Sequence, residues 1–213
     1  MIRELRAADV AEVAELHREA FRGAIGPVLG DRYARALLRW FLEQPDAVCL
    51  VFDFAGEVAG YVFGAPDGYG ARLNRDLLPT VALAALTHPQ VILHRHFLGK
   101  ATGRARGLLR KLTRRGAAAQ SAQQAAARAA AGTCFALTGI GVSPRHRKRK
   151  IGQQLCAAFE QRVAAAGFRR MILDVYKDNT PARHLYEAMG WHIAEDHGHF
   201  LLYDKQLPAG ATP

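Results

Sequence analysis

The sequence predicts an α/β domain built on a mixed, mainly antiparallel twisted sheet of about seven strands flanked by helices. Three observations predict it. The apolar pattern switches repeatedly between the two-residue period of strands and the 3.6-residue period of helices. Gly, Pro and Asn mark many of the joins between those segments, as at Gly56, Pro66, Pro144, Gly167, Asn179 and Gly190. The resulting order is βααββ, then a long insertion, then βαβαββ, within 213 residues that are 50% hydrophobic and 23% charged. One domain over 1–207, with an insertion at about 66–132 and a frayed tail at 208–213, accounts for the length.

Ile2 to Arg6 opens as a short strand. Asp9 is an expected N-cap for a helix whose apolar face is Val10, Val13, Leu16, Ala20 and Phe21. A break from Gly23 to Gly30 follows, and Asp31 is the expected cap of a second helix carrying Tyr33, Leu37, Leu38, Phe41 and Leu42. Ala47 to Phe54 and Glu57 to Ala65 are strands joined through a tight Ala55-Gly56 hairpin. Cys134 to Val142 is the next strand, entering a loop at Ser143-Pro144. Ile151 to Ala166 is a helix stopped by Gly167, and Met171 to Val175 a strand. Thr180 to Met189 is a short helix with Pro181 at its start and Gly190 at its end. Trp191 to Ala194 and His199 to Asp204 close the sheet as a hairpin.

The formal net charge of +10 is concentrated rather than spread. Pro66 to Gly132 holds eleven Lys/Arg against two Asp/Glu, which leaves 18 basic against 17 acidic residues elsewhere. The insertion alone therefore needs an electrostatic explanation. Leu77 to Leu86 and Val91 to Leu98 are apolar enough to pack, and Ala117 to Ala131 is alanine-rich and extends as a helix. Three uses compete: a lid over a substrate cleft, favoured; peripheral contact with an anionic membrane, with Leu98, Leu108, Leu109 and Leu112 beneath a basic face; and nucleic-acid binding, disfavoured by few aromatics for stacking. No apolar run reaches the ~18 residues of a membrane span. Met1 to Arg6 has no signal-peptide core, so a cytoplasmic location is the expectation. Cys49, Cys134 and Cys156 read as reduced core residues. No metal is expected, because neither His94/His96 nor His197/His199 has a third ligand at suitable spacing.

The chemistry concentrates in Ile140-Gly141-Val142-Ser143-Pro144-Arg145-His146-Arg147-Lys148-Arg149-Lys150-Ile151-Gly152, where a strand runs through a basic loop into a helix. Successive backbone N–H groups at such a junction, a helix dipole and several cations suit a phosphate or pyrophosphate. Neither the Gly-Lys-Ser/Thr of a Walker loop nor a Gly-x-Gly-x-x-Gly dinucleotide fingerprint is present. The stretch resembles the pyrophosphate loop of the GNAT (GCN5-related) N-acetyltransferase family, Arg/Gln-x-x-Gly-x-Gly/Ala, with Arg147 at the first position and Gly152 at the last. Lys150 replaces the family's first glycine. A second stretch, Asn179-Thr180-Pro181-Ala182-Arg183-His184-Leu185-Tyr186-Glu187-Ala188-Met189-Gly190-Trp191, is similar to the family's Asn-x-x-Ala-x-x-Leu-Tyr-x-x-x-Gly-Phe, with Trp191 for the phenylalanine. The clear likeness covers Phe135 to Lys205, with weaker agreement over 1–65.

The resemblance implies acetyl-CoA as co-substrate and acetyl transfer to a primary amine by direct attack in a ternary complex. A small amine such as an amino sugar is favoured over a protein amine. A bulge in the fourth strand would splay it from the fifth. Ile140, Gly141 and Val142 would meet the pantetheine arm. Arg147, Lys148, Arg149, Lys150, Ile151 and Gly152 would hold the phosphates, and Asn179 and Ala182 would lie along the arm. Tyr186 would protonate the leaving thiolate as general acid. The base stays open among Glu57, Asp174, His199 and a water chain. A non-catalytic module on the same scaffold, binding acyl-CoA, nucleic acid or a membrane surface, is the alternative.

Overall fold

A computed structural model describes residues 1–21, 29–87 and 134–208. Among these residues seven strands form one sheet in the order β1-β2-β3-β4-β5-β7-β6. They are β1 Ile2–Glu4, β2 Val48–Phe54, β3 Glu57–Pro66, β4 Cys134–Val142, β5 Arg170–Tyr176, β6 His192–Asp196 and β7 Phe200–Gln206. Only β4 and β5 run parallel; every other neighbouring pair is antiparallel. Ala55 (φ 55°) and Gly56 (φ 89°) give the β2–β3 hairpin the two left-handed residues of a type I′ turn, and Asp53 Oδ1 accepts the Gly56 N–H at 2.9 Å.

Alternation along the strands fills two cores. On one face, α5 (Ile151–Ala165) lays Leu155, Cys156, Phe159 and Val163 over Val62, Phe135 and Leu137, and α6 (Thr180–Ala188) adds Tyr186. On the other face, α1 (Val10–Ala20) and α2 (Gly30–Leu42) bring Val13, Leu38 and Phe41 against Val51, Tyr61 and Phe63. The three cysteines are free thiols, and burial pushes those of Cys49 and Cys156 up to about 12.

Asp9 stands at the N-cap position of α1, as expected, but without a side-chain cap bond, and the expected Asp31 cap needs correction. Asp9 also ends a 3-10 turn, Ala7–Asp9. Its carboxylate instead accepts the Arg6 N–H at 2.8 Å and pairs with Arg3 at 2.7 Å. Asp31 lies inside α2, whose N-cap position is Leu29, and pairs with Arg35 one turn on. On α1 the apolar stripe turns towards Ala14 and His17, which are buried, while Ala20 is exposed.

The basic insertion begins with two helices, α3 (Gly70–Asp76) and α4 (Leu78–Thr87). They dock onto α2: Trp40 Nε1 donates to Asp76 Oδ2 at 3.0 Å, and the Tyr69 ring lies 5.3 Å from that of Phe41. The remaining expectations for the insertion, from His88 to Gly132, and for the tail from Ala209 fall outside the described residues.

Candidate functional site

Three residue pairs join β4 to β5, Cys134↔Arg170, Phe135↔Met171 and Ala136↔Ile172, and there the pairing stops. β4 continues to Val142 against β3 alone. The cause is an extra residue. Gly64 faces Leu137 and Phe63 faces Gly139, so Thr138 has no partner and bulges, which bends β4 away from β5. A wedge opens between two neighbouring strands of an otherwise continuous sheet.

Main-chain direction in the wedge follows from one bond. Ser143 N donates to Ala59 O at 2.9 Å, which marks 143/59 as a hydrogen-bonded pair. Antiparallel alternation then commits Gly141 to Tyr61 and turns the N–H and C=O groups of Ile140 and Val142 towards the gap. The Gly141 amide belongs to the ladder, and the residue supplies room beside Tyr61. A Cβ there would sit 2.6 Å from the Tyr61 ring.

At the end of β4 the chain turns through Pro144–His146 and enters α5 at Ile151. Lys148 (φ 61°) and Lys150 (φ 58°) are both left-handed. Lys150 thus adopts the backbone for which the resembled family uses glycine. The left-handed Lys150 followed by helical Ile151 makes a nest of N–H groups. The first helical bond runs from Gln154 N to Lys150 O, so the Ile151, Gly152 and Gln153 N–H groups have no intrahelical acceptor. They open into a cleft of about 400 Å³ lined by Val142, Arg147, Lys148, Lys150 and Gly152, with Pro181, His184 and Leu185 of α6 opposite.

Replacing Lys150 with glycine relieves roughly 1–2 kcal/mol of left-handed strain and adds about 0.5–1 kcal/mol of unfolded-state entropy. Thermal unfolding of Lys150→Gly is therefore expected at or slightly above that of the unaltered protein. Lys150→Ala keeps the strain and should show no such gain.

Arg149 is absent from this lining because its guanidinium lies over the Phe54 ring, 5.3 Å from the centroid. Ile140, Asn179, Ala182 and Tyr186 also lie outside it. His146, Gln153 and His184 line the cleft although the sequence did not single them out. His146 is buried, neither ring nitrogen has a hydrogen-bond partner among the described residues, and Nε2 lies 3.7 Å from Glu57. The available signal for His184 was its i+3 spacing from Pro181 on α6.

Asn179 caps α6, its Oδ1 accepting from Ala182 N at 3.3 Å. Seven residues on, Tyr186 is buried between Trp191 and Tyr203, with ring centroids 5.9 and 6.1 Å away. Its phenolic oxygen makes no hydrogen bond among the described residues. Burial raises its pKa well above the usual phenol value, so the group is a neutral donor throughout the working pH range. From the opposite face Tyr61 comes close enough for the charge of Tyr186 to raise its own pKa, after burial, and its hydroxyl meets His17 Nδ1 at 2.8 Å. Burial lowers the pKa of His17 to about 4, which keeps it neutral. Among the described residues no group of three or more His, Cys, Asp or Glu side chains could hold a metal ion, and no helix is long and apolar enough to cross a membrane.

A family model described as the Acetyltransferase (GNAT) family matches residues 10–191. A mycothiol acetyltransferase of Corynebacterium glutamicum is 38% identical over 66 residues, 31% of this chain and 22% of that protein. The chain thus matches about a fifth of the length of that relative. Among solved structures, an N-acetyltransferase from Staphylococcus aureus superposes with a TM-score of 0.60 at 12% identity, covering 98% of both chains. The paia N-acetyltransferase of Thermoplasma acidophilum, solved in complex with coenzyme A, gives 0.54 at 12% identity, over 97% of this chain and 98% of that one.

Proposed function

The chain belongs to the GNAT acetyltransferase family, and from that premise we propose that it moves an acetyl group from acetyl-CoA to a primary amine by direct attack in a ternary complex. The observation that carries this reading is the continuity of the β4–β5 wedge with the cationic nest at the start of α5. A ligand that is pyrophosphate at one end and amide-bearing along its arm suits that surface. The N–H groups of Ile151, Gly152 and Gln153, with Arg147, Lys148 and Lys150, would hold the phosphates. The outward-turned groups of Ile140 and Val142 would complete a strand-like pairing with the pantetheine amides, replacing the hydrogen bonds that β5 does not make.

In this reading the thioester lies in the wedge, an unpaired N–H of β4 polarises its carbonyl, and Tyr186 donates to the departing sulfur. Positioning two substrates in one cleft supplies most of the acceleration. The described start of the insertion, fixed on α2 beside the wedge, supports the lid role over membrane or nucleic-acid contact. A small amine remains the favoured acceptor.

Calorimetric titration with acetyl-CoA tests the reading, with dephospho-CoA and NADPH as controls. Micromolar binding is expected, weakened about tenfold by Arg147→Ala combined with Lys148→Ala, which corresponds to ~1.4 kcal/mol and to the low end for charged hydrogen bonds. Absence of acetyl-CoA binding at low salt would overturn it.

A further inference from the structure

An ammonium acceptor must lose a proton before it attacks, and the fold separates the three side chains that could take it. Glu57 starts β3 beside Arg145 and His146, 3.7 Å from each, at the end of the sheet where the phosphate loop lies. His199 belongs to the exposed turn between β6 and β7, where its carbonyl accepts the Lys177 N–H at 3.1 Å. Asp174 stands on β5 two residues beyond Ile172, the last residue paired with β4. It is therefore level with Thr138, the bulged residue, across the open wedge.

Parity along β5 fixes its face. Met171, Leu173 and Val175 enter the core beneath α5, so Asp174 projects to the side covered by α1, α2 and the start of the insertion. Thr138 and Tyr69 meet on that side, the Thr138 hydroxyl donating to Tyr69 Oη at 2.9 Å. Tyr69 is near enough for the charge of Asp174 to raise its phenol, after burial has done so. Asp174 itself is open to solvent and makes no hydrogen bond or ion pair among the described residues.

We propose that Asp174 is the acceptor-side base, taking a proton from the ammonium of a cationic primary amine that enters the wedge from the α1/α2 face. This rests on the acetyl-transfer reading and deepens it. The ammonium N–H proton passes to the Asp174 carboxylate. The freed lone pair bonds to the thioester carbon, and the C–S bond breaks. Tyr186 gives its proton to the thiolate, and the second proton shed by the new amide nitrogen restores the phenol. One acetyl group moves, one thiol forms, and one proton leaves Asp174 for solvent. With Asp67 as the neighbouring carboxylate, the entrance favours amines that bear no adjacent anion.

The titratable groups facing Asp174 are Tyr69 and Asp67 from the segment after β3 and His197 from the β6–β7 turn. Partial desolvation raises the Asp174 pKa above the usual carboxylate value, His197 opposes this, and Asp67 adds to it. The basic form exists above that raised pKa, so its loss on acidification comes at higher pH than for an ordinary aspartate.

The test uses the full chain, acetyl-CoA, and spermidine, glucosamine and glycinamide as acceptors, read by thiol release across pH. For the best acceptor, Asp174→Asn is expected to lose about 100-fold in kcat/KM near neutrality. The deficit should shrink as pH approaches the amine's own pKa, while calorimetric affinity for acetyl-CoA stays unchanged. Asp174→Glu should restore part of the rate, and His199→Gln should match the parent at every pH. Intact acetyl-CoA binding with turnover of Asp174→Asn within about threefold of the parent, or a deficit constant across pH, overturns the assignment alone. Failure of the parent to bind acetyl-CoA overturns the acetyl-transfer reading and the assignment together.

Discussion

Tyr186→Phe is expected to lower kcat about 100-fold, the low end for a general acid, with acetyl-CoA affinity and thermal stability nearly unchanged. The low end follows from the environment of the phenol. An ordinary thiol has a pKa of about 8.5 and an ordinary phenol about 10, and burial raises Tyr186 further. Complete proton transfer to the thiolate therefore stays uphill even once the C–S bond is broken, and the proton returned to the phenol by the new amide nitrogen carries it through. Before that point the hydroxyl contributes a hydrogen bond to developing negative charge. Phenylalanine keeps the ring between Trp191 and Tyr203, and the lost oxygen leaves no broken partner among the described residues. The sign with pH is also fixed. A raised phenol stays protonated as pH rises, so no alkaline fall in kcat should originate at Tyr186 below the usual phenol pKa. Thiol release under saturating acetyl-CoA measures the effect, and an unchanged kcat would remove the acid role.

Local patterns made most of the fold legible. Cys134–Val142 is legible to the residue because its apolar run is bounded by turn chemistry at Ser143-Pro144. Gly167 (φ 92°) and Gly190 (φ 78°) follow α5 and α6, where left-handed residues end the helical runs. Of the helix starts, Val10, Ile151 and Thr180 fall where the sequence puts them, and Gly30 lies one residue before the expected cap Asp31. Asp9 holds the N-cap position of α1, but its carboxylate pairs with Arg3 instead of an α1 amide; Arg3 also binds Asp53 across the sheet at 3.0 Å, and no local rule contains that contact. The site divides in the same way. Arg147, Lys148, Lys150 and Gly152 share the cleft because strand, loop and helix follow one another directly. Arg149 leaves it for Phe54, a hairpin residue almost a hundred positions earlier. His146 enters it with the loop it belongs to, and His184 because the start of α5 packs beside α6, which only tertiary structure decides. Asp174 could not be told from Glu57 or His199 until the β4–β5 register placed it opposite the bulge.

Gly64→Ala is expected to destabilise the fold by about 3 kcal/mol or more and to lower Tm by roughly 6–12 °C. A Cβ at Gly64 would lie 2.1 Å from Ala136 O and 2.9 Å from Phe159 Cζ. The first neighbour is main chain, so relief requires separating β3 from β4. The second belongs to a ring packed edge-on against Phe135 at 5.7 Å, in the core beneath α5. Gly64 also faces Leu137, the residue before the Thr138 bulge, so the same displacement alters how far β4 leans from β5. Binding should therefore weaken at temperatures where the variant is still folded, because the wedge rather than the cation loop has changed shape. Gly70→Ala supplies the comparison: a Cβ there meets nothing within 4 Å, its φ is not left-handed, and it opens α3, so stability should hold or rise by a few tenths of a kcal/mol. Circular dichroism melts of both variants, with acetyl-CoA titrations well below the lower Tm, separate the two effects. A Gly64→Ala protein that melts low yet binds acetyl-CoA like the parent would mean that the wedge width is set by α5 and α6 and not by the close contact of β3 with β4.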